Sequence, residues 1–590
     1  MTSDWQHVDI LISETKTALY INGTKVQESD SDYKLSDILG TEGGIVQVGK
    51  GNWETGEYYK GLIDNYKIYD GILTEDEITA QYQEFVAAQE AITSGSEELK
   101  LEQDYDALTL VDTDDVRGNL PLVRTGKNGS TIEWTSSNTA VITDTADGGL
   151  YDGGIVTRPA AGSDPVMVKL TATITYGSFE PKTKEFTVTV QPKTANLDTD
   201  YSAGYLWTNF GTEDGYEKIF LGYSEDGLTW SKLNKVDGVA KSVLANDAKD
   251  SDLGVRDPHL IRSVDGDKYW ILGTDLHAEG GGAGGSGWNQ LSASKNLVVW
   301  ESTDLVNWSE PRLVYAGFDT AGCVWAPEAI YDDTTGDYVV YWSARDYSKQ
   351  DTEENALRVY VCHTRDFNTF SEPKVWLSED QDSGSEVNII DTTIVKENGK
   401  YYRFSTSDWN TVIDVSDTLD TDDVLDVRTS EEESKPSGSW KRLVKRSGST
   451  AAGFDSREGF TVYQLPDGKW CAMGDHSGYK AFVTDDLSSG KFTEATAEFV
   501  DGKFRHGTVV RLSKAEEARV LEAYKARESE SLDEKEASDP VLEYNFEGEK
   551  TAQTITDTGK GNTTVWNGTL FGNAKVVYDE TVKSNVLQLD

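Results

Sequence analysis

The sequence predicts an all-β protein organised around a five-bladed β-propeller, and three observations carry that expectation. The 590-residue chain is only 37% apolar yet holds 16 Trp, 28 Tyr and 17 Phe, an aromatic supply that disordered chains lack. Between residues 200 and 512 a strand, a short turn and an aromatic recur, as Ser224-Glu225-Asp226-Gly227-Leu228-Thr229-Trp230, Ser302-Thr303-Asp304-Leu305-Val306-Asn307-Trp308 and Thr364-Arg365-Asp366-Phe367-Asn368-Thr369-Phe370. Weaker copies span 416–440 and 484–492, so the five copies match the blades of a propeller. A second repeat stands ahead of these turns, in Arg256-Asp257-Pro258-His259, Trp325-Ala326-Pro327-Glu328, Ile390-Asp391-Thr392-Thr393 and Arg457-Glu458-Gly459-Phe460, followed by the turn glycines Gly266, Gly336, Gly399 and Gly468. Residues 504–510 supply a fifth such strand without the rest of a blade, and residues 205–233 hold the outer strands it lacks. The start of the domain, residues 197–512, is therefore expected to close the last blade and remove its edges.

The flanking segments read in order as smaller modules. Residues 8–12 and 18–21 are short strands with a hairpin turn at Asn22-Gly23, and Thr74 with Glu77 forms a capping box that opens a helix to about residue 90. Residues 1–90, in Trp5-Gln6-His7-Val8, Leu19-Tyr20-Ile21-Asn22-Gly23 and the run 61–69, resemble the C-terminal half of a concanavalin-like laminin-G lectin domain, a jelly roll. Residues 97–193 alternate with the spacing of a small Ig-like β-sandwich, with Thr131-Ile132-Glu133-Trp134 and strands at 168–175 and 185–190. That segment is similar to the bacterial Ig-like repeats of secreted multidomain hydrolases, which implies a connector. In residues 513–539, Ser513 and Glu516 cap a short helix that leads into an acidic linker. Residues 540–590, through Val541-Leu542-Glu543-Tyr544, Asn567-Gly568-Thr569-Leu570 and Val586-Leu587-Gln588-Leu589, resemble the N-terminal part of a second laminin-G-like domain. The two lectin-like segments are read as two domains cut by the ends of the chain, with one jelly roll completed by both halves as the alternative.

Charge excludes whole classes of partner. The 55 Lys and Arg face 103 Asp and Glu, a net charge of −48, and without a basic cluster neither nucleic acid nor an anionic membrane is a plausible partner. No apolar run is long enough for a membrane span. Cys323, Cys362 and Cys471 are too few and too far apart for a disulfide framework or a zinc site, and read as buried small hydrophobes. Gly282, Gly284 and Gly287 match GxGxxG in spacing, but no strand leads into them and no helix pattern follows, so they read as a loop at the active site.

The repeats converge on a site. One slot in the inner strands reads Asp257, Ala326, Asp391, Glu458 and His506 around the ring, which brings three carboxyl groups toward one axis. About one residue in six is acidic, so structural ion pairing is the bland reading. The shared slot in a buried strand favours function, because an unpaired buried carboxylate is costly.

In this order, Arg256-Asp257-Pro258, Trp325-Ala326-Pro327-Glu328, Ile390-Asp391, Glu458-Gly459 and Arg505-His506-Gly507 resemble glycoside hydrolase family 43. The resemblance implies an inverting glycoside hydrolase with Asp257 as general base, Glu458 as general acid and Asp391 as the residue that tunes the acid's pKa. Inversion needs about 6.5–9.5 Å between acid and base to admit a water, and a neighbouring carboxylate raises the acid's pKa. Further implied are the removal of terminal pentoses from plant cell-wall polysaccharide or oligosaccharide, by an α-L-arabinofuranosidase first and a β-xylosidase second, and an extracellular or cell-surface location with the signal peptide outside this chain. A propeller that binds carbohydrate without catalysis is the competing class.

No cofactor is required by this reading. His506 could order a water or a structural Ca²⁺ in the channel, as the family's matching histidine can, or be a hydrogen-bonded structural residue. Arg505 is a candidate for a sugar hydroxyl or for a salt bridge. His259 and His277 flank the first inner strand as weaker substrate-binding candidates. Trp325 and Trp409, with Trp207, could stack on a sugar, although blade packing is the ordinary role of such residues.

Overall fold

The computed structural model describes residues 6–32, 66–69, 71–145, 150–279, 287–349, 356–380, 386–428 and 439–525, with short strand segments between 554 and 588. Four sheets follow one another along the chain. Their innermost strands are Val255–Arg262, Trp325–Asp332, Ile389–Glu397 and Glu458–Gln464, and each pairs outward with antiparallel strands. The fifth sheet is assembled from both ends of the domain: Gly507–Arg511 lies innermost and pairs with Tyr205–Gly211, followed by Lys218–Ser224 and Thr229–Lys232. Each inner strand lies against the next and the fifth against the first, so the ring is closed.

Burial explains the strand sequences. A second strand such as Tyr269–Asp275 is covered by neighbouring blades on both faces and is buried at every position, so it reads as a continuous apolar run and not as an alternation. The recurrent turns share one device. Asp226, Asp304, Asp366 and Asp420 each accept two successive backbone N–H groups within the turn, and Asp486 accepts one. That Asx turn spares the strand ends an unsatisfied donor and fixes where each following aromatic enters the core. Trp207 is such a core residue, fully buried with ring centres 5.1 Å from Trp230, 4.8 Å from Tyr479 and 4.9 Å from Phe504. It packs the fifth blade and is placed away from any sugar.

Before the propeller, the hairpins Val8–Ile12, Lys16–Ile21 and Thr24–Asp30 form a three-stranded sheet. Helix α1, Glu75–Ala107, opens with the expected box: the Thr74 side chain accepts from Glu77 N–H, and the Glu77 carboxylate accepts from Thr74 N–H. The helix does not stop near residue 90. It runs through Ser94-Gly95-Ser96 and past residue 97, where the Ig-like module was expected to begin. Tertiary contacts override the weak local propensity: Leu101 is buried in the Ig-like core, and the Asp104 carboxylate accepts the N–H groups of Asn128 (2.8 Å) and Ser130 (3.0 Å). The module's sheet, Thr131–Ser136, Val166–Thr175 and Lys182–Val190, alternates buried and exposed residues as a sandwich face must.

A swinging connector would not bury charge against its neighbour, yet this module does. Arg158, 2% exposed at its side chain, donates to both oxygens of Asp267 (2.9 and 2.7 Å) in the first blade, and Arg365 of the second blade donates to the Leu120 carbonyl (3.1 Å) and stacks on Tyr151 at 4.2 Å. These contacts use turns at one end of the blades, after the inner strands at Asp267 and Gly336 and after the third strand at Arg365, and the Gly336 carbonyl accepts from Asn119 (2.8 Å). The Ig-like module thus covers the end of the propeller opposite the strand starts that carry Asp257, Asp391 and Glu458. Toward the C-terminus, helix α2, Lys514–Ala523, has the predicted Ser513 and Glu516 capping box. Hairpin Lys575–Asp579 with Ser584–Gln588 is present beyond it, whereas the acidic linker, residues 541–546 and Gly282 and Gly284 lie outside the described residues. Among the described residues no helix is long and apolar enough to cross a membrane.

Removing one partner of a buried pair strands the other. Arg158→Ala is therefore expected to cost roughly 3–5 kcal/mol, and calorimetry should show the Ig-like module melting separately from the propeller.

Candidate active site

The inner strands are not regular. In each of the first four, the pairing with the second strand slips, between Arg256 and His259, Trp325 and Glu328, Ile390 and Thr393, and Glu458 and Thr461. The bulge residues Asp257, Ala326, Asp391 and Gly459 have φ of +51°, +48°, +52° and +61°. A bulge turns its side chain out of the pleat, here toward the channel mouth. This corrects the expected slot: Gly459, not Glu458, is the structural counterpart of the two aspartates, and Glu458 stands one residue earlier, level with Arg256, Trp325 and Ile390. The dipeptide Glu-Gly concealed the offset, because only the backbone reveals which residue takes the left-handed conformation. Gly459 is needed there, since a Cβ would meet His506 Cγ at 2.9 Å.

Hydrogen bonds between blades fix the cluster. Thr274 donates to Asp257 Oδ2 (3.0 Å) and accepts from the N–H of Ala326 (2.8 Å), while the N–H of Gly459 donates to Asp391 Oδ2 (3.1 Å). His506, just before the closing strand, places Nδ1 3.2 Å from Asp257 Oδ1. Burial pushes the Asp257 carboxyl up, but the bond and charge of His506, the charge of Arg256 and the Thr274 hydroxyl together hold it below its ordinary value. His506 is pushed the other way: burial disfavours its charge, and Asp257, Asp391 and Glu328 overcome that and raise it to about 9. Burial and then the charge of Asp391 raise Glu458 to about 8, and burial and the charge of Asp257 raise Asp391 to about 6. At neutral pH Asp257 is ionised and Glu458 protonated, which is the division of labour an acid–base pair requires.

One carboxyl group escaped the sequence reading. Glu328, 5% exposed, sits in the channel two residues beyond the second bulge, where it accepts from the Tyr341 hydroxyl (3.4 Å), and burial raises it to about 8. The motif Trp325-Ala326-Pro327-Glu328 carried the signal, but in a chain this acidic a single glutamate did not stand out.

The predicted binding residues separate into rim and channel. Arg505 is held between Glu279 (3.1 Å) and Asp475 (3.3 Å) with its guanidinium 4.8 Å from the Phe210 ring centre, and it is 29% exposed at its side chain. Trp325 is partly buried with its ring edge-on to the exposed Trp288 at 6.2 Å. Trp409 stands on the rim, 47% exposed. His277 turns to Glu217, at 2.7 Å, and is buried. His259 points down the channel with Nδ1 3.0 Å from the Thr508 hydroxyl and Nε2 3.0 Å from the Ala329 carbonyl, and burial lowers it to about 4. Both its nitrogens are spent as a strut between blades.

The His506 ring nitrogen Nδ1 is taken up by Asp257 at 3.2 Å, and among the described residues no three or more His, Cys, Asp or Glu stand together as a metal cluster.

Three family models match parts of the chain. A family model described as a probable glycosyl hydrolase domain, related to glycoside hydrolase family 43, matches residues 200–518. An atrophied bacterial Ig domain matches residues 101–193, and the concanavalin A-like lectin/glucanase superfamily matches residues 1–79. An alpha-L-arabinofuranosidase of Bifidobacterium longum subsp. longum is 38% identical over 319 residues, covering 49% of this chain and 28% of the relative's length. Among solved structures, an alpha-L-arabinanase of Cellvibrio cellulosa in complex with arabinohexaose is 14% identical over 53% of this chain and 97% of its own, with a TM-score of 0.34. An endo-1,4-beta-xylanase of Bacteroides thetaiotaomicron is 14% identical over 54% and 95%, with a TM-score of 0.31.

Titration of the histidine rings by NMR should find His506 near 9, and Asp257→Asn or Gly459→Ala should bring it back toward 6.5 by removing or displacing its partner. A raised histidine stabilises the fold fully below pH 6.5, and that share is lost as pH rises through about 9.

Proposed function

Because the chain belongs to the glycosyl hydrolase family whose model spans residues 200–518, we propose that it releases terminal α-L-arabinofuranosyl units from the side chains of plant cell-wall polysaccharides, with inversion at the anomeric carbon. The observation that carries the mechanism is the opposite perturbation of two carboxyl groups in one cluster, Asp257 held ionised and Glu458 held protonated near neutrality. The name of the 38% identical relative supports the choice of sugar.

In this mechanism Asp257 takes a proton from a water as that water's oxygen bonds to the anomeric carbon. The glycosidic C–O bond breaks in the same step, and Glu458 gives its proton to the departing oxygen. Asp391 supplies the negative charge that keeps Glu458 protonated, and the His506 cation keeps Asp257 from taking up a proton before the substrate arrives. Arg505 at the rim offers N–H donors to sugar hydroxyls. The polymer is too large to enter a cell, so the chain acts in the extracellular space or at the cell surface.

Assays with aryl α-L-arabinofuranoside and aryl β-xyloside test the reading. Arabinose release is expected, with β-arabinofuranose as the first product seen by NMR, and Glu458→Gln should lower kcat/KM by at least about 10²-fold. Xylose release would change the sugar assigned, and binding without turnover would leave a carbohydrate-binding propeller. The alkaline limb of kcat/KM should lie near pH 8 and move down in Asp391→Asn, since the charge that raises Glu458 is then gone.

A further inference from the structure

In the third blade the strands Lys400–Ser407 and Asn410–Ser416 are joined by Asp408 and Trp409 alone. In the fourth blade residues 476–478 make the matching turn. Both short turns lie beside Glu458, which gives its proton to the leaving group.

Trp409 holds its turn in an unfavourable backbone. Asp408 and Trp409 have φ of +41° and +67°, the hairpin turn that favours Asn-Gly, and a bulky residue there is strained. Strain of this kind persists where the surroundings over-determine it and is found at ligand sites. Here the surroundings are visible. The Trp409 carbonyl accepts from the N–H of Arg457 (3.1 Å), the residue immediately before Glu458. The Arg457 guanidinium, itself buried, donates to the carbonyls of His476 (3.4 Å) and Gly478 (2.6 Å). One residue thus anchors both turns and sets the exposed Trp409 ring edge-on to His476 at 5.1 Å and 87°.

We propose that Trp409, braced by His476, forms an aromatic platform for the sugar on the leaving-group side of the scissile bond, the polysaccharide main chain from which the pentose is cut. This rests on the hydrolase reading above. The apolar face of a pyranose ring lies against the indole, and the Arg457 anchor holds the platform in register with the proton of Glu458.

Trp409→Gly and Trp409→Phe test it, with arabinosylated xylotetraose and aryl arabinofuranoside as substrates. Glycine relieves the left-handed strain, so the melting temperature should hold or rise. KM for the tetraose should increase about ten-fold, the size of one aromatic contact, with a smaller loss on the aryl glycoside, and phenylalanine should restore most of it. Equal losses on both substrates, or a loss that tracks a lower melting temperature, would overturn the platform. Calorimetric binding of the tetraose in the Glu458→Gln background separates the two readings. If the wild type turns over neither substrate, the hydrolase reading fails, while weaker binding after Trp409→Gly upholds the platform and unchanged binding removes it.

Discussion

The pairing of Gly507–Arg511 with Tyr205–Gly211 joins residues such as Thr208 and Thr508 that lie 300 positions apart, and the site depends on it as much as the ring does. His506 directly precedes the closing strand, so the cation reaches Asp257 only when the last blade is complete. Before closure the converging carboxyl groups lack the charge that offsets their burial, and an uncompensated buried charge is among the costliest defects a fold can carry. Contacts this distant in sequence form slowly. Fold and active site are therefore completed by one event.

The bulges convert a repetitive scaffold into unequal side-chain positions. Four blades share the same slip, yet the residue at the slip is Asp, Ala, Asp and Gly in turn. Two blades present carboxylates from the bulge, one presents a methyl group, and the fourth uses glycine to admit His506 and displays its glutamate from the preceding position. The acid thereby leaves the strand from a different point than the base. Different neighbours then give each carboxyl group its own affinity for a proton, although the side chains are chemically alike.

Much of this was legible in the sequence because the propeller repeats itself at two places per blade. Asp226, Asp304 and Asp366 marked the turns on one side, and the inner-strand motifs marked the other, so even the composite fifth blade could be read. The offset of Glu458 was not legible, since a left-handed Ala326 or Asp391 has no signature in residue type. Glu328 was hidden by the abundance of acids. The continuation of α1 past Ser94-Gly95-Ser96 and the anchoring of Trp409 by Arg457 both depend on contacts between segments remote in sequence, which local pattern does not record. The docking of the Ig-like module rests largely on Arg158 and Arg365, two arginines with nothing around them in sequence to set them apart.

That docking has a directional effect. Inner strands run about six residues from the cluster to the turns that the module covers, a path of roughly 20 Å at 3.3 Å per residue. A clamp of buried ion pairs at one pole leaves the other pole aimed outward along the same axis. Anything that holds the chain at the outer face of the Ig-like module would find the mouth of the propeller facing away from the point of attachment, like a lamp on a bracket.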